Sequence, residues 1–350
     1  MQTRRSEPTQ AGRRAEGSCP APRDPGCHGV TARVRPRGIA VLEVARPYEL
    51  LRLCSVGVGN ADLRGSIRWK RRISGQGRVA FGQGNRFFVI SGMREGSAMM
   101  EAGVLRDRIA IVTGAASGIG AGISVAYAAE GARVALVDKV PEALARPVLD
   151  AIREMGSEPF FYQCDVSNEV EVVAMTRTVL DHFGHVDILV NNAGIFTESS
   201  VAKMPIADWD LVLNVNLRGT FLCTRFILNH MLERGSGRII NMASQLGQIG
   251  GADVAHYSAS KGGVIAFTKA LAREVSTSGV LVNAIAPGPI KTPLLDNETD
   301  EWRNRKLGEL PIGRFGEVSE VTPTAILLAS DAGSYYVGQT LGPNGGDVML

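Results

Sequence analysis

The chain has 350 residues and a net charge of +3, a figure that averages two unlike parts. Residues 1–100 hold 18 of the 38 Lys and Arg but only 7 of the 35 Asp and Glu, a net of +11, and the other 250 residues carry −8, so the whole-chain value says little about partners. No apolar run reaches the roughly 18 residues needed to span a bilayer, and no secretory apolar segment follows the N-terminus. Cys19, Cys27, Cys54, Cys164 and Cys223 are odd in number and lack C-x-x-C spacing, which argues against a disulfide framework or zinc site and for a reducing cytoplasm.

In the first hundred residues, seventeen of the eighteen basic side chains are Arg, Lys70 being the exception. Pro and Gly are scattered and no hydrophobic period persists, although residues 39–44 and 87–90 read as short strands. Such composition favours disorder or weak order. Three readings compete: a basic arm that neutralises phosphates of nucleic acid or another acidic surface, a transit peptide, or an extension upstream of the functional protein. Glu7, Glu16 and Asp24 spoil the acid-poor pattern of a transit peptide. Met99 or Met100 would start the following domain cleanly, and the third reading is favoured. The domains expected are therefore 1–99, the extension, and 100–350.

From residue 109 the pattern changes. Ile109-Ala110-Ile111-Val112-Thr113 is a short, β-branched apolar run, the mark of a buried parallel strand. It enters Gly114-Ala115-Ala116-Ser117-Gly118-Ile119-Gly120 and then a helix-forming stretch from Ala121 to Glu130, closed by Gly131. Strand, glycine turn and helix in that order make a dinucleotide site. Gly114 permits the tight turn, Gly118 lets the backbone approach a pyrophosphate, and Gly120 lets helix and strand pack closely. The spacing differs from G-x-G-x-x-G by three residues between the first two glycines. The next strand, 133–137, ends at Asp138. An acidic residue there accepts hydrogen bonds from the adenosine ribose and repels the 2′-phosphate of NADP, so NAD is favoured. Lys139 follows and would soften that discrimination.

Further along, Phe160 to Cys164 precedes Asp165-Val166, and 187–190 reads as a strand ending in an Asn-rich turn. That turn suits either cofactor contact or the tying of adjacent strands. Helices are expected over 208–234 and 254–278 with a strand, 238–242, between them. An amphipathic segment follows over 317–330, and a last strand begins at 338. Strands alternating with helices give an α/β, doubly wound parallel sheet of about seven strands.

Within the second long helix, Tyr257 and Lys261 stand four apart and share a face. An ammonium beside a phenol would lower its pKa from roughly 10 toward the range of general acid–base work. Alone the pair is weak, since such spacings are common; with the dinucleotide site upstream it gains weight.

Thr113-Gly114-x-x-x-Gly118-Ile119-Gly120, Asp165-Val166, Asn191-Asn192-Ala193-Gly194, Asn216, Ser244, Tyr257, Lys261 and Pro287-Gly288 together make residues 100–350 resemble a short-chain dehydrogenase/reductase of Rossmann fold. The resemblance implies an NAD(P)-dependent enzyme, with Tyr257 as acid/base and Lys261 lowering its pKa and holding the nicotinamide ribose. It implies that Ser244 orients the substrate oxygen and that Asn216 holds a relay water, with Asn214 the competing candidate. Cofactor contacts are implied for Gly114, Ser117, Gly118, Ile119, Gly120, Asp138, Asp165, Val166, Asn192, Ala193, Gly194, Tyr257, Lys261, Pro287, Gly288, Ile290 and Thr292. No metal is called for, since the five histidines make no ligand spacing; His182 and His185 read as surface residues. His256 either tunes Tyr257 or sits at the surface. Residues 293–315 read as a lid, with Ile195, Phe196, Gln245 and Leu246 lining a pocket for a small alcohol or ketone. A homotetramer is implied, or a dimer. The alternatives are an NADPH-dependent 3-oxoacyl-thioester (acyl-carrier-protein) reductase and an idle binding protein contacting nucleic acid through its basic arm.

Overall fold

A computed structural model describes residues 103–295 and 298–350, the backbone at Asp296, and the backbone of four upstream strands. The chain divides into two compact units, Met1–Met100 and Glu101–Leu350. In the first, Val30–Arg35, Ile39–Val44, Arg78–Phe81 and Phe87–Ile90 pair antiparallel, in the spatial order first, second, fourth, third. Two of these strands are the ones read from the sequence. The rest of the basic segment, with Cys19, Cys27, Cys54 and His28, lies outside the described residues.

The second unit is built on β1 (Ile109–Thr113), β2 (Arg133–Asp138), β3 (Phe160–Gln163), β4 (Ile188–Asn191), β5 (Gly237–Met242), β6 (Val280–Ile285) and β7 (Thr340–Leu341). Among the described residues they form one parallel seven-stranded sheet in the order β7-β6-β5-β4-β1-β2-β3. Strand order reverses between β1 and β4. Ligands of open α/β sheets bind beyond the carboxyl ends of the strands at such a switch point.

β1 is buried along its whole length, as its unbroken apolar run requires. Helices α1 (Gly118–Ala129), α2 (Glu142–Glu154), α3 (Glu169–Phe183), α4 (Ile206–Leu213), α5 (Gly219–Arg234), α6 (Leu246–Ile249), α7 (Ala255–Val275), α8 (Pro293–Asp296), α9 (Asp300–Glu309) and α10 (Val318–Ala329) follow the strands. On one face Ile123 and Tyr127 of α1 pack with Val321 and Leu328 of α10, and the Tyr127 hydroxyl donates to the Ala325 carbonyl at 2.9 Å. On the other, Met175 and Val179 of α3 meet Leu222, Ile227 and Met231 of α5. Each such buried aliphatic side chain contributes about 1.5–3 kcal/mol.

α4 and α5 are joined without a break by a π-helical turn, Asn214–Arg218. The resulting helix, Ile206–Arg234, has the length and composition of a membrane span, with a mean hydropathy of 1.2 over its most apolar window. Its apolar residues nonetheless pack into the sheet core, with 44% of that window buried.

Buried polar groups lock the sheet together. Asn191 on β4 donates to Thr224 at 2.9 Å and to Asn241 on β5 at 2.8 Å, and Asn241 donates to Thr268 of α7 at 2.9 Å. Asp187, just before β4, accepts from the Ile109 amide at 2.8 Å and pairs with Arg234 at 3.1 Å and His185 at 3.2 Å. His182 stacks near Phe160, centroids 4.6 Å apart. Both histidines lie at the surface, as expected, His182 exposed and His185 half-buried.

Candidate active site

The glycine turn behaves as its sequence demands. Gly114 and Gly118 have φ of +64° and +55°, which favours glycine. A Cβ at Gly120 would lie 2.1 Å from the Gly114 carbonyl oxygen, so α1 approaches β1 only because that side chain is missing. Ser117, the residue before α1, makes no side-chain cap. The first amides, from Gly118 to Gly120, precede the first intrahelical bond (Ala121 N–H to the Ser117 carbonyl, 3.1 Å). An uncapped helix start above a positive-φ turn fits a pyrophosphate. Thr292 faces this turn, its methyl 3.5 Å from a Cβ built at Gly118, which brings the 287–292 loop over the same cleft. Ile290 is buried and bridges to Gly316.

The far end of the cleft is charged. One oxygen of Asp138 accepts from the Ala116 amide at 2.9 Å and the other from the Val140 amide at 3.3 Å, so the carboxylate is fixed beside the glycine turn. Lys139 pairs with Asp165 at 2.7 Å. The Lys139 side chain is largely exposed, so this is a surface ion pair. Burial pushes the Asp165 carboxyl up, but hydrogen bonds from Lys139 and Ser167 outweigh it and hold the group below its ordinary value. The Asp165 side chain is thus committed to protein partners. Val166 packs against Gly219, where a Cβ would come within 2.8 Å of its Cγ2.

At the end of β4, the Asn192 side-chain amide donates to the Thr113 and Gly114 carbonyls at 2.9 and 3.1 Å. The Thr113 hydroxyl accepts from the Asn192 and Ala193 amides, both at 3.0 Å. This turn ties strands, one of its two expected uses, and its position at the switch point leaves the other open. A Cβ at Gly194 would sit 3.2 Å from the Asn216 Oδ1 and 3.4 Å from the Lys261 Nζ, which places those two groups together at the cleft floor.

Tyr257 and Ser244 meet above that floor. Ser244 follows β5, its Oγ accepts from the Leu246 amide at 3.1 Å, and its hydroxyl hydrogen-bonds Tyr257. Phe196 stands edge-on to the Tyr257 ring, centroids 5.0 Å apart. Lys261, one helical turn beyond Tyr257, is 4% exposed and donates to the Met242 carbonyl at 2.7 Å; its Nζ lies 5.7 Å from the tyrosine ring centroid. Burial pushes the Lys261 ammonium down to about 8. Burial also pushes the Tyr257 phenol up, with the Ser244 hydrogen bond pulling the other way. The expected depression of the tyrosine by the lysine is therefore corrected: desolvation disfavours both charged forms and dominates.

Asn216 is fully buried in the π turn whereas Asn214 is exposed. Its Oδ1 accepts from the Ile195 amide at 2.8 Å, and its Nδ2 donates to the Ile195 carbonyl at 3.0 Å and the Ser260 hydroxyl at 3.1 Å. Ser260 in turn donates to the Tyr257 carbonyl at 2.7 Å, a bridge the sequence reading missed. Its only signal was its place beside Lys261. His256 is wholly buried, with its Nε2 2.7 Å from the Thr197 hydroxyl, so the surface role is excluded. Gln245, expected to line the pocket, turns its amide instead to Asp347 and is buried; its backbone N–H donates to the Pro287 carbonyl at 3.1 Å. Gly288 donates to the Pro343 carbonyl at 3.1 Å.

Comparison with known proteins decides the family. A profile of the short chain dehydrogenase family matches residues 108–303. The chain belongs to the short-chain dehydrogenase family. It is 40% identical over 240 residues to the 3-oxoacyl-[acyl-carrier-protein] reductase of Staphylococcus aureus, a match spanning 69% of this chain and 98% of that protein. It is 38% identical over 242 residues to the (2S)-[(R)-hydroxy(phenyl)methyl]succinyl-CoA dehydrogenase subunit BbsD of Thauera aromatica, covering 69% and 97% respectively. The crystal structure of a short-chain type dehydrogenase/reductase from Mycobacterium marinum superposes with a TM-score of 0.68 at 33% identity, over 70% of this chain and 97% of that one. This short-chain dehydrogenase is thus an NAD(P)-dependent oxidoreductase acting on CH–OH groups of small molecules.

Proposed function

We propose that this short-chain dehydrogenase interconverts a secondary alcohol and a ketone with NAD(H), Tyr257 acting as the acid–base. The observation that carries the reading is the convergence of Tyr257, Ser244 and Lys261 at the switch-point end of the sheet, with an uncapped helix N-terminus beside them. A nicotinamide dinucleotide bound there would supply or accept hydride. In the reducing direction Tyr257 gives its phenolic proton to the carbonyl oxygen, and in oxidation it takes the proton back. Ser244 hydrogen-bonds that oxygen and holds it toward the phenol. The Lys261 ammonium, desolvated and short of partners beyond Met242, holds the ribose hydroxyls and favours the phenolate once a bound cofactor completes its surroundings. Asn216 keeps a free lone pair on Oδ1 next to Lys261, suited to a relay water.

The fixed Asp138 carboxylate supports NAD over NADP. A second reading, an NADPH-dependent 3-oxoacyl-thioester reductase, is favoured by the name of the Staphylococcus aureus relative. The two are separated by assaying a panel of secondary alcohols, ketones and acetoacetyl-coenzyme A with NADH and NADPH. Turnover with NADH on simple ketones supports the first, and NADPH-only turnover of the thioester replaces it with the second. No turnover with either cofactor overturns both.

We further propose a homotetramer, supported by Trp209, Leu211 and Phe221, which are exposed along Ile206–Arg234, and by Phe221 meeting Phe267 of α7 edge-on. Light scattering tests it, and a monomer at micromolar concentration would refute it. The cytoplasm is the compartment proposed, on the free, buried Cys164 and Cys223. Residues 100–350 are proposed to carry the activity and 1–99 to be dispensable to it.

A further inference from the structure

We propose that Asp347 is a positioning residue that latches α9 onto the loop following Ser244 and thereby sets substrate affinity; this rests on the reading of Ser244 and Tyr257 as the reacting pair. A single carboxylate oxygen, Oδ2 of Asp347, accepts from the Gln245 side-chain amide and pairs with the Lys306 ammonium at 2.6 Å. Gln245 is the neighbour of Ser244, Lys306 belongs to α9, and Asp347 lies in the C-terminal tail. Three segments that are remote in sequence are thus joined at one atom. The side chains of Asp347 and Lys306 are 9% and 17% exposed, and Gln245 is 4% exposed. A pair so far removed from water is not the ordinary surface ion pair that contributes almost nothing.

The tail is shaped to present this carboxylate. Gly345 and Gly346 take φ of +67° and +88°, and Asn344 closes the turn by accepting from the Gly346 amide at 2.9 Å and donating to the Val348 carbonyl at 2.8 Å. The Ile312 amide, three residues past α9, donates to the Gly345 carbonyl at 3.2 Å. The Gly288 amide meets the Pro343 carbonyl, so the tail also grips the loop that faces the glycine turn.

None of the ten residues of α9 is fully buried, and of its apolar side chains Trp302 and Leu307 are only partly covered. Its ties also include the Arg303 bond to the Leu295 carbonyl at 2.9 Å and the stacking of Trp302 near Phe315, centroids 6.2 Å apart. A helix with no fully buried residue belongs to the low-stability end of a structure, from which lids are drawn. Loss of the latch should therefore loosen α9 while leaving the sheet and the dinucleotide cleft intact.

The test compares the full chain with Asp347→Asn, Lys306→Met and the double variant. Amide hydrogen exchange over residues 300–310 should quicken by about tenfold or more in each single variant, and little further in the double, because one interaction is broken once. With acetoacetyl-coenzyme A, or with the ketone from the panel that the parent reduces best, KM should rise about tenfold, equivalent to ~1.4 kcal/mol. kcat and the Kd for NADH should stay within about threefold. Unchanged exchange over 300–310 overturns the latch, and so does additive loss in the double variant. A proportional fall of kcat and NADH binding with melting temperature would make Asp347 merely structural. If the parent reduces nothing, the functional reading fails, and the exchange arm still decides whether the latch exists.

Discussion

Replacing Lys261 by Met removes a charge that folding takes out of water. The native ammonium is pushed by burial to about 8 from an ordinary 10.5. That displacement corresponds to about 3.4 kcal/mol of cost at neutral pH. Against it stands the hydrogen bond to the Met242 carbonyl at 2.7 Å. Leaving that oxygen unpaired costs about 1–3 kcal/mol. The cofactor-free variant should thus match or exceed the parent in stability at pH 7, by about 0.5–2.5 kcal/mol. Its pH dependence is the sharper signature. Between pH 8 and 10.5 the unfolded chain binds more protons at this site than the native state, so parent stability climbs through that window as pH rises. The variant lacks that climb, and its advantage should fade by about 3 kcal/mol toward pH 10.5. Urea unfolding at several pH values from 7 to 10 measures the difference. A difference that stays flat would mean that the ammonium keeps its water in the native state, and the desolvation argument would fail. In the same variant, turnover should fall by roughly a hundredfold or more.

Tyr257→Phe should lower kcat by about 10²–10⁴ with NADH binding unchanged, because only the transferable proton is lost; near-parent kcat would remove Tyr257 from the chemistry. Asp138→Ala should raise the NADP-to-NAD ratio of kcat/KM by about tenfold or more, since a fixed negative charge near a phosphate costs at least ~1.4 kcal/mol. An unchanged ratio would show that discrimination lies elsewhere. Gly120→Ala places a methyl 2.1 Å from the Gly114 carbonyl oxygen. It should cost about 1–3 kcal/mol in urea unfolding and weaken NADH binding in a titration; a silent substitution would refute the close-approach argument. Removal of residues 1–99 should leave kcat/KM unchanged, and a lost activity would show that the basic segment serves the enzyme.

What could be read from the sequence was local. The run from Ile109 to Thr113, the glycines at 114, 118 and 120, and the four-residue step from Tyr257 to Lys261 each encode their geometry within one or two turns of chain. Backbone sterics and helical periodicity act over that range. Alternation of such segments was enough to give a parallel sheet, because a strand–helix–strand connection has essentially one handedness. Asn216 was preferred to Asn214 through family spacing; that Asn216 is buried in the π turn and Asn214 exposed appears only in the structure.

Tertiary structure alone decided what each group faces. The sign of the shift at Tyr257 depends on how much protein covers the phenol and where the Lys261 Nζ points, and helical spacing specifies neither. Lys139 meets Asp165 only because β2 and β3 lie side by side. His256 is buried and meets the Thr197 hydroxyl, and Gln245 is claimed by a carboxylate 102 residues later in the chain. Solvation and long-range pairing are properties of the packed surface around a residue, so the same side chain in the same motif can be exposed, neutralised or locked. The sequence by itself determined which elements form and which chemical groups reach the ends of the strands; packing determined their charge states and their partners.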